Sequence, residues 1–411
     1  MEKTASPRTT KELILDAAFS FCSEPRFQSF SMADLAAKVG ISKPAIYRHY
    51  RDKDAVIAAM YERFVESLAD CLRAVDGQAE ENASERVLVG LVQFFAERPH
   101  YVNYLLTNLC DRNHFERQVV ADLRARGVKW LGTADGAAWD MRRYVRSVYC
   151  GATIFVFIKL REKWIARGGA AEPAEAFAHN VVNMLLGGLR QVVPAGHLLH
   201  PEAMSESRFA ELDALCAIGD DVLPPQDRIF TALASVIAKH TFTGVTMDRI
   251  AAELSMAKSS LYEYFDNKNQ MIRSMIVREL AVSEMVLKEN ASEARSFSEY
   301  MYILMRTGLS YFMLRPSIIP VRGWFLQTTA DDMPKDELDV PDPWVERLPD
   351  PLEPFGFGME VSRRQFVTWL SALPVALVVQ WTNRALDKES LPGALRIVFD
   401  CLEYGINKEQ L

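Results

Sequence analysis

Five basic or aromatic side chains lie in a short stretch near the start of the 411-residue chain: Lys43, Tyr47, Arg48, His49 and Lys53. Lysine and arginine neutralise phosphate groups, and tyrosine and histidine hydrogen-bond to phosphate oxygens. These residue types therefore indicate a surface that binds the backbone of a nucleic acid. The other interpretation is a small helical hairpin whose basic end is only solvated.

The residues around this stretch predict two short helices joined by a tight turn. Ser31 and Asp34 have the spacing of a capping box at the start of the first helix. Gly40 can end that helix, because glycine adopts positive φ without a Cβ clash. Ser42 can cap the second helix, and Pro44 suits its first turn. The pattern is a helix-turn-helix, in which the second helix enters the major groove of DNA.

We call this motif, with the amphipathic helix predicted before it, the first reader, and we place it in residues 1–55. The candidate DNA-binding residues of the first reader are the two caps, the start of the second helix and the basic residues after it. They are Ser31, Ser42, Lys43, Pro44, Ala45, Tyr47, Arg48, His49 and Lys53.

The same stretch resembles the TetR family of bacterial transcriptional regulators. The residues that carry the resemblance are Ile14 to Ala18, Leu35-Ala36, Val39-Gly40-Ile41-Ser42, Ile46-Tyr47, His49-Tyr50 and Lys53. The resemblance implies that Tyr47, His49 and Lys53 lie at the DNA backbone. It also implies a helical ligand-binding domain that follows the reader and is conformationally coupled to it.

The reader pattern occurs a second time, 215 residues further along the chain and without a gap. Matching pairs include Met32 with Met247, Ala36 with Ala251, Lys43 with Lys258, Tyr47 with Tyr262, and Lys53 with Lys268. Two later pairs, Trp164 with Trp381 and Gly188 with Gly405, match at an offset of 217. The repeat therefore extends beyond the readers and predicts two similar units.

We therefore expect an all-α protein of two tandem TetR-like units, each a three-helix reader followed by a helical ligand and dimerisation domain. The expected domains are residues 1–55 and 56–195 for the first unit, a linker helix in 196–223, and residues 224–270 and 271–411 for the second. Family members pair through their last two long helices, which correspond to residues 135–166 with 173–193 and 361–386 with 391–406. Both pairs carry broad apolar faces, so we expect an intramolecular pseudo-dimer. Whether two such chains dimerise further stays open.

The two readers differ in charge. Residues 42–53 carry four cationic side chains against one carboxylate, and residues 257–268 carry two against two, so the net charges are +3 and 0. The candidate DNA-binding residues of the second reader are Thr246, Lys258, Ser259, Ser260, Tyr262, Tyr264 and Lys268. Ala257 stands where Ser42 caps the first recognition helix, and Glu263 replaces Arg48. The second reader can thus recognise a different half-site, act as a weak phosphate clamp, or serve as a scaffold.

Aromatic side chains with interspersed amides in both helical domains suggest a cavity for a small apolar or aromatic effector. The candidate ligand-binding residues are Tyr104, Asn108, Trp130, Tyr149, Trp324, Gln327 and Trp369. The alternative is that these side chains only fill the core. Six prolines exclude regular structure from residues 330–358, which we interpret as either a mobile lid or a disordered insertion.

The net charge, the cysteine spacing and the absence of known motifs exclude several classes of protein. The net charge of −7 means that any contact with DNA is local, since a single small DNA-binding domain would be basic overall. The six cysteines lack metal-binding spacing, and neither an HExxH motif, a P-loop nor a nucleophile elbow occurs. No apolar signal or membrane span is evident.

We therefore expect a cytoplasmic, ligand-responsive regulator, more often a repressor in this family, that binds a double-stranded DNA operator and has no catalytic activity, cofactor, metal or membrane partner. The alternative is a sensor or interaction protein of the same fold whose second reader, or both readers, no longer bind specific DNA.

Overall fold

The computed structural model describes residues 9–22, 30–76, 83–111, 115–128, 140–192, 203–219, 222–240, 245–319, 321, 359 and 361–406. Within these ranges the chain forms helices and no strand. The helices of the first unit are α1 (Thr10–Phe21), α2 (Met32–Val39), α3 (Lys43–Tyr47), α4 (Lys53–Asp76), α5 (Ala83–Glu97), α6 (Pro99–Asp111), α7 (Phe115–Ala125), α8 (Met141–Ala166) and α9 (Ala174–Val192). A separate helix, α10 (Glu206–Leu215), follows. The second unit contains α11 (Arg228–His240), α12 (Met247–Glu253), α13 (Lys258–Tyr262), α14 (Lys268–Ala291), α15 (Phe297–Leu314), α16 (Arg363–Thr382) and α17 (Leu391–Tyr404).

The two readers have the same three-helix arrangement. In the first, α1 and α3 pack on α2, and α1 also packs on α4. Leu35 and Ile46 are fully buried at its centre, and Ile250 and Leu261 are fully buried at the positions 215 residues later. Helices α12, α13 and α14 each begin 215 residues after α2, α3 and α4. The repeat predicted from the sequence is therefore a repeat of structure.

The long helices of the two units pack against each other. Helix α8 contacts α16 and α17, and α9 contacts α17. The buried Trp369 donates from Nε1 to Oγ1 of Thr153 at 3.2 Å, and the hydroxyl of Tyr144 donates to Oε1 of Gln380 at 2.6 Å. The broad apolar faces predicted for these helices are thus covered by the other unit.

Two glycines lie where α9 and α17 meet. Gly188 (φ 66°, ψ −178°) and Gly405 (φ 78°, ψ 177°) both have positive φ, which glycine adopts without a Cβ clash. A Cβ on Gly188 would collide with the backbone of Gly405, and a Cβ on Gly405 would collide with the backbone of Leu186. Beside them the amide of Ile406 donates to the carbonyl of Leu185 at 2.9 Å, a backbone hydrogen bond between the units.

The helix between the units is attached to the second one. Arg208 of α10 forms two hydrogen bonds with the carboxylate of Glu299, at 3.0 and 2.8 Å. Phe209 packs edge-to-face on Tyr302, and the guanidinium of Arg306 lies 2.9 Å from the carboxylate of Asp213. Helix α10 begins at Glu206 and ends at Leu215, so it lies inside the expected linker, residues 196–223.

Several helix bounds differ from those expected. The helix expected over residues 135–166 begins at Met141, because Asp140 caps its N-terminus. The helix expected over 361–386 begins at Arg363 after the capping residue Ser362, and ends at Thr382 just before Arg384, whose φ is 59°. Residues 135–139 lie outside the described residues. The turn expected at 383–386 was wrong, because the positive φ of Arg384 does not continue a right-handed helix.

Helix α16 also contains a long apolar segment that was not predicted from the sequence. Among the described residues, its segment Gln365–Thr382 is the one helical stretch long and apolar enough to cross a membrane, and 39% of that segment is buried inside the protein. Because α16 packs between α8 and α15, its apolar character is that of a core helix.

Candidate nucleic-acid interface

The turn of the first reader has the predicted geometry. The hydroxyl of Ser31 accepts from the amide of Asp34 at 3.2 Å, and the Asp34 carboxylate accepts from the amide of Ser31 at 2.8 Å, which forms the capping box. Gly40 has φ 77° and ends α2. The hydroxyl of Ser42 accepts from the amide of Ala45 at 3.3 Å and caps α3. The hydroxyls of Ser31 and Ser42 thus hold the two helix starts in place.

Helix α3, the first recognition helix, presents a basic and aromatic surface to solvent. Ile46 is buried and anchors the helix, whereas Ala45 is half-buried. Among the described residues Lys43 has no ion-pair partner. The remaining candidate residues on α3 and after it are exposed: Lys43, Pro44, Tyr47, Arg48 and His49. The sequence-predicted contacts therefore share one accessible face.

Lys53 and Lys268 lie in a different setting from the exposed lysines. Each is half-buried at the first position of a long helix. The ammonium of Lys53 lies 4.4 Å from the centre of the Phe30 ring, and that of Lys268 donates to the carbonyl of Val245 at 3.3 Å. Burial lowers the pKa of both lysines. Both side chains fasten the long helix to the residue before the N-cap of the reader's middle helix.

The second reader has the same backbone path as the first but lacks two of its stabilising features, a side-chain cap and a glycine. Thr246 caps α12, accepting from the amide of Arg249 at 3.2 Å. Ala257 provides no side-chain cap for α13, the second recognition helix, as the sequence predicted. Ser255 occupies the position of Gly40 and has φ 55°, a conformation that is unfavourable for a residue with a Cβ.

The exposed surface of the second recognition helix is aromatic rather than cationic. Tyr262 and Tyr264 are 46% and 69% exposed, whereas Ser259 is exposed and Ser260 half-buried. The ammonium of Lys258 lies 2.8 Å from the carboxylate of Asp248 on α12. In the first reader the residue at this position is Ala33. The lysine at the first position of the recognition helix is therefore neutralised in the second reader and, among the described residues, not in the first.

Both readers match the family model described as bacterial regulatory proteins of the tetR family, at residues 14–60 and 229–275. The chain is built from two tandem TetR-like units. Each match begins in the first helix of a reader and ends within the long helix that follows it.

Two of the curated relatives are named as HTH-type transcriptional regulators and one as a nucleoid occlusion factor. The HTH-type transcriptional regulator YxbF of Bacillus subtilis is 21% identical over 291 residues, which cover 67% of this chain and 68% of YxbF, so the two proteins have similar lengths. The regulator YvaF of the same organism is 30% identical over 26% of this chain and 56% of YvaF. The nucleoid occlusion factor SlmA of Citrobacter koseri is 31% identical over 26% of this chain and 54% of SlmA. The chain thus spans little more than half the length of the last two.

Among the described residues, the candidate ligand-binding side chains of the two TetR-like units lie in two separate places. Trp130, Trp324, Gln327 and the stretch 330–358 lie outside the described residues. Tyr104 is buried among the rings of Phe19, Phe64 and Phe115, and Asn108 donates to the carbonyl of Tyr104 at 2.7 Å.

Tyr149 and Trp369 lie elsewhere, in the contact between the TetR-like units. Tyr149 is a buried residue of α8, and Trp369 of α16 donates to Thr153 of α8. Burial raises the pKa of the Tyr149 hydroxyl. The two rings therefore contribute to packing between the units.

A cavity that the sequence did not reveal lies at the joint between the first reader and α6. Its volume is about 530 Å³. Its polar lining comes from α1, α4 and the α5–α6 junction: Asp16, Ser20, Arg63, Glu97, Arg98 and His100. A signal in the sequence was the pair Arg98-Pro99, which recurs as Arg315-Pro316 at the offset of 217.

No group of histidine, cysteine or acidic side chains that could hold a metal ion occurs among the described residues. The five thiols within those ranges, Cys22, Cys71, Cys150, Cys216 and Cys401, are free. Burial raises the pKa of each, which keeps these thiols protonated.

Proposed function

We propose that this chain is a transcriptional regulator of the TetR family, a ligand-responsive repressor in the cytoplasm whose two unequal readers bind one asymmetric DNA operator. The observation that carries the proposal is the presence of two complete helix-turn-helix readers with different exposed side chains on one chain. A homodimer presents the same recognition helix twice, and its operator is correspondingly symmetric. Two unlike recognition helices favour two unlike half-sites.

The proposal includes an intramolecular pseudo-dimer made by α8, α9, α16 and α17. It is supported by the hydrogen bonds from Trp369 to Thr153 and from Tyr144 to Gln380, and by the close approach of Gly188 and Gly405. This packing uses the surface through which two separate family members would pair.

In the first reader, Lys43, Tyr47, Arg48 and His49 are proposed to contact DNA directly, because they share the exposed face of the recognition helix. Lys53 is proposed to act at the backbone from the start of α4. In the second reader, Tyr262 and Tyr264 are exposed enough to touch bases or sugars, and Lys258 must leave Asp248 to reach a phosphate.

The test is selection of duplex DNA from a random pool by the intact chain. We expect an enriched motif with two dissimilar halves, and binding that weakens steeply as salt rises because counterions are released. A palindrome would contradict the asymmetric operator, since it would mean that two chains pair their first readers. No enrichment would contradict sequence-specific binding.

The second candidate function is a sensor or interaction protein of the same fold. The neutral second reader favours it, because the ion pair of Lys258 with Asp248 removes a cation from the face that would meet phosphate. Substituting Lys258→Ala together with Tyr262→Phe tests this candidate. Unchanged DNA affinity would support a scaffolding role for the second reader.

A further inference from the structure

The cavity at the joint of the first unit has the size of a small-molecule site. Its volume of about 530 Å³ falls within the range of pockets that enclose such ligands. Asp16 and Ser20 lie on α1 of the reader, Arg63 lies on α4, Arg98 lies between α5 and α6 of the helical domain, and His100 lies on α6. An occupant would therefore touch the reader and the helical domain at once.

The second unit has an arginine at the equivalent position. Arg98 and Arg315 each precede a proline at the end of α5 or α15, at the offset of 217. The guanidinium of Arg98 lies 5.0 Å from the ring of Phe94, and that of Arg315 lies 5.8 Å from the ring of Tyr311, four residues earlier in each case. The two arginines are thus structural counterparts.

In the second unit, the protein itself provides the acceptors for this arginine. Arg315 donates to the buried carboxylate of Glu279 at 2.8 Å and to the carbonyl of Pro224 in the segment that leads into α11. Ser317, the counterpart of His100, donates to Oε1 of Gln226 at 3.5 Å. In the second unit, the segment before the reader thus lies against the surface that is equivalent to the one bordering the cavity in the first unit.

In the first unit, these acceptors are replaced. Phe64 stands where α14 has Glu279, so the buried carboxylate is missing at that position. Residues 9–12 are wound into the start of α1, where Thr9 and Glu12 form a capping box. Arg98 forms an ion pair with its neighbour Glu97 at 3.0 Å, and both side chains are more than 40% exposed. Such an exposed pair contributes little stability and exchanges readily.

The remaining walls suit a ligand with an apolar body. The rings of His100 and Tyr101 both border the cavity, with their centres 4.5 Å apart. Burial is the main cause that lowers the pKa of His100 to about 4, so its ring is uncharged near neutral pH and has one N–H donor. Asp16 is held by Arg63 in the less exposed of the two ion pairs, with 2.5 Å between the charged atoms. The pair of Arg98 with Glu97 is the more exposed one, so Arg98 is the cation that an anion can engage by displacing Glu97.

We propose that this cavity binds a small carboxylic acid whose carboxylate pairs with Arg98 and whose apolar body lies against His100 and Tyr101. The carboxylate takes the place that Glu279 and the carbonyl of Pro224 occupy on Arg315. Only the effect of this ligand on DNA binding rests on the proposed function. The site itself does not.

The test is isothermal titration calorimetry of the full chain with acetate, benzoate and 1-naphthoate. We expect one binding site per chain, with affinity rising with the size of the apolar body. Benzamide, the neutral counterpart of benzoate, should bind at least about tenfold more weakly, because hydrogen bonds to charged groups are the stronger ones. The variant Arg98→Gln should weaken binding of the acids by a similar factor.

Control variants show whether a loss of binding is specific to the Arg98 guanidinium. Arg117→Gln removes the same charge from an exposed position on α7, outside the cavity, and should leave the affinity unchanged. Arg98 is half-buried and its ion pair with Glu97 is exposed, so thermal unfolding of Arg98→Gln should match that of the parent, and Arg98→Lys should retain part of the binding. If none of the three acids binds, or if Arg98→Gln binds them as the parent does, the assignment is wrong.

The effect on the readers is measured separately, by fluorescence anisotropy with the selected DNA. We expect the bound acid to change the affinity for DNA by about fivefold or more, the usual scale of coupling between sites. Calorimetric binding without this change would support the site and overturn its coupling to the readers. Absence of any DNA binding would contradict the proposed function. The calorimetric result would still show whether the cavity binds the acids.

Discussion

Lys43 and Lys258 occupy the same position of the two recognition helices, but their surroundings differ. Lys43 is exposed, and Ala33 stands at the position equivalent to Asp248. Lys258 lies 2.8 Å from the carboxylate of Asp248 and 6.0 Å from the ring of Tyr262. Both partners of this ion pair are exposed, so the pair adds little to stability. Its main effect is on the charge presented to DNA.

We therefore expect Asp248→Ala to strengthen DNA binding by about two- to fivefold, since it frees Lys258 for a phosphate. The slope of log affinity against log salt should become steeper by up to about one, because one more counterion is released. Anisotropy titrations at several salt concentrations measure both quantities.

The matched control for this change is Glu289→Ala. It removes one negative charge from an exposed position at the far end of α14. Equal gains from both variants would point to net charge alone. No gain from Asp248→Ala would indicate that the second reader does not meet phosphate.

At the scale of the element, the two recognition helices differ at their N-cap, the residue just before the first helical position. Ser42 accepts a hydrogen bond from the amide of Ala45, whereas Ala257 leaves the equivalent amide of Ser260 without a side-chain acceptor. Both helices have only five residues, so one cap is a large part of their local stability.

We expect Ala257→Ser to stabilise α13 by about 0.5–1 kcal/mol and Ser42→Ala to destabilise α3 by about 1 kcal/mol. Amide hydrogen exchange should show slower exchange in α13 for the first variant and faster exchange in α3 for the second. Ala252→Ser, at an exposed position within α12, is the control and should not stabilise the reader. Unchanged exchange in α13 of Ala257→Ser would show that the added hydroxyl does not cap the helix.

The caps and ends of the helices could be predicted where they depend on residues close together in the sequence. The Ser31–Asp34 box, the positive φ of Gly40 and the missing cap at Ala257 follow from residues a few positions apart, and the structure confirms all three. The partner of Lys258 was not predicted, because it lies on the preceding helix and depends on the crossing of α12 and α13. The joint cavity was missed for the same reason, since Asp16, Arg63 and Arg98 lie far apart in the sequence.

For the whole molecule, the contact between units depends on Gly188 and Gly405. The sequence showed that the two glycines are equivalent, but it did not show that they meet. Gly188 has positive φ, and its missing Cβ leaves room for the backbone of Gly405. The ion pair between Arg190 and the buried Glu403, at 3.2 Å, lies in the same contact.

We expect Gly188→Ala to lower the free energy of unfolding by at least about 2 kcal/mol, because it adds both an unfavourable φ and a collision across the contact. Denaturant unfolding measures the change, and small-angle scattering should show a larger radius of gyration.

Gly393→Ala, in α17, is the control for this prediction. A Cβ there would meet nothing within 4 Å, so we expect unchanged or slightly higher stability. Equal stability of the two variants would mean that the glycine contact does not hold the units together.

The contact of Trp369 with Thr153 has a consequence for how this protein can change over time. In a dimer of identical chains, a substitution on the symmetry axis occurs in both chains and contacts its own copy. One mutation therefore changes both sides of the contact. Here the positions equivalent to Trp369 and Thr153 are Ala152 and Leu370, and a large ring in one unit faces a small residue in the other. Each side of the contact can be altered alone, and the two units are free to diverge.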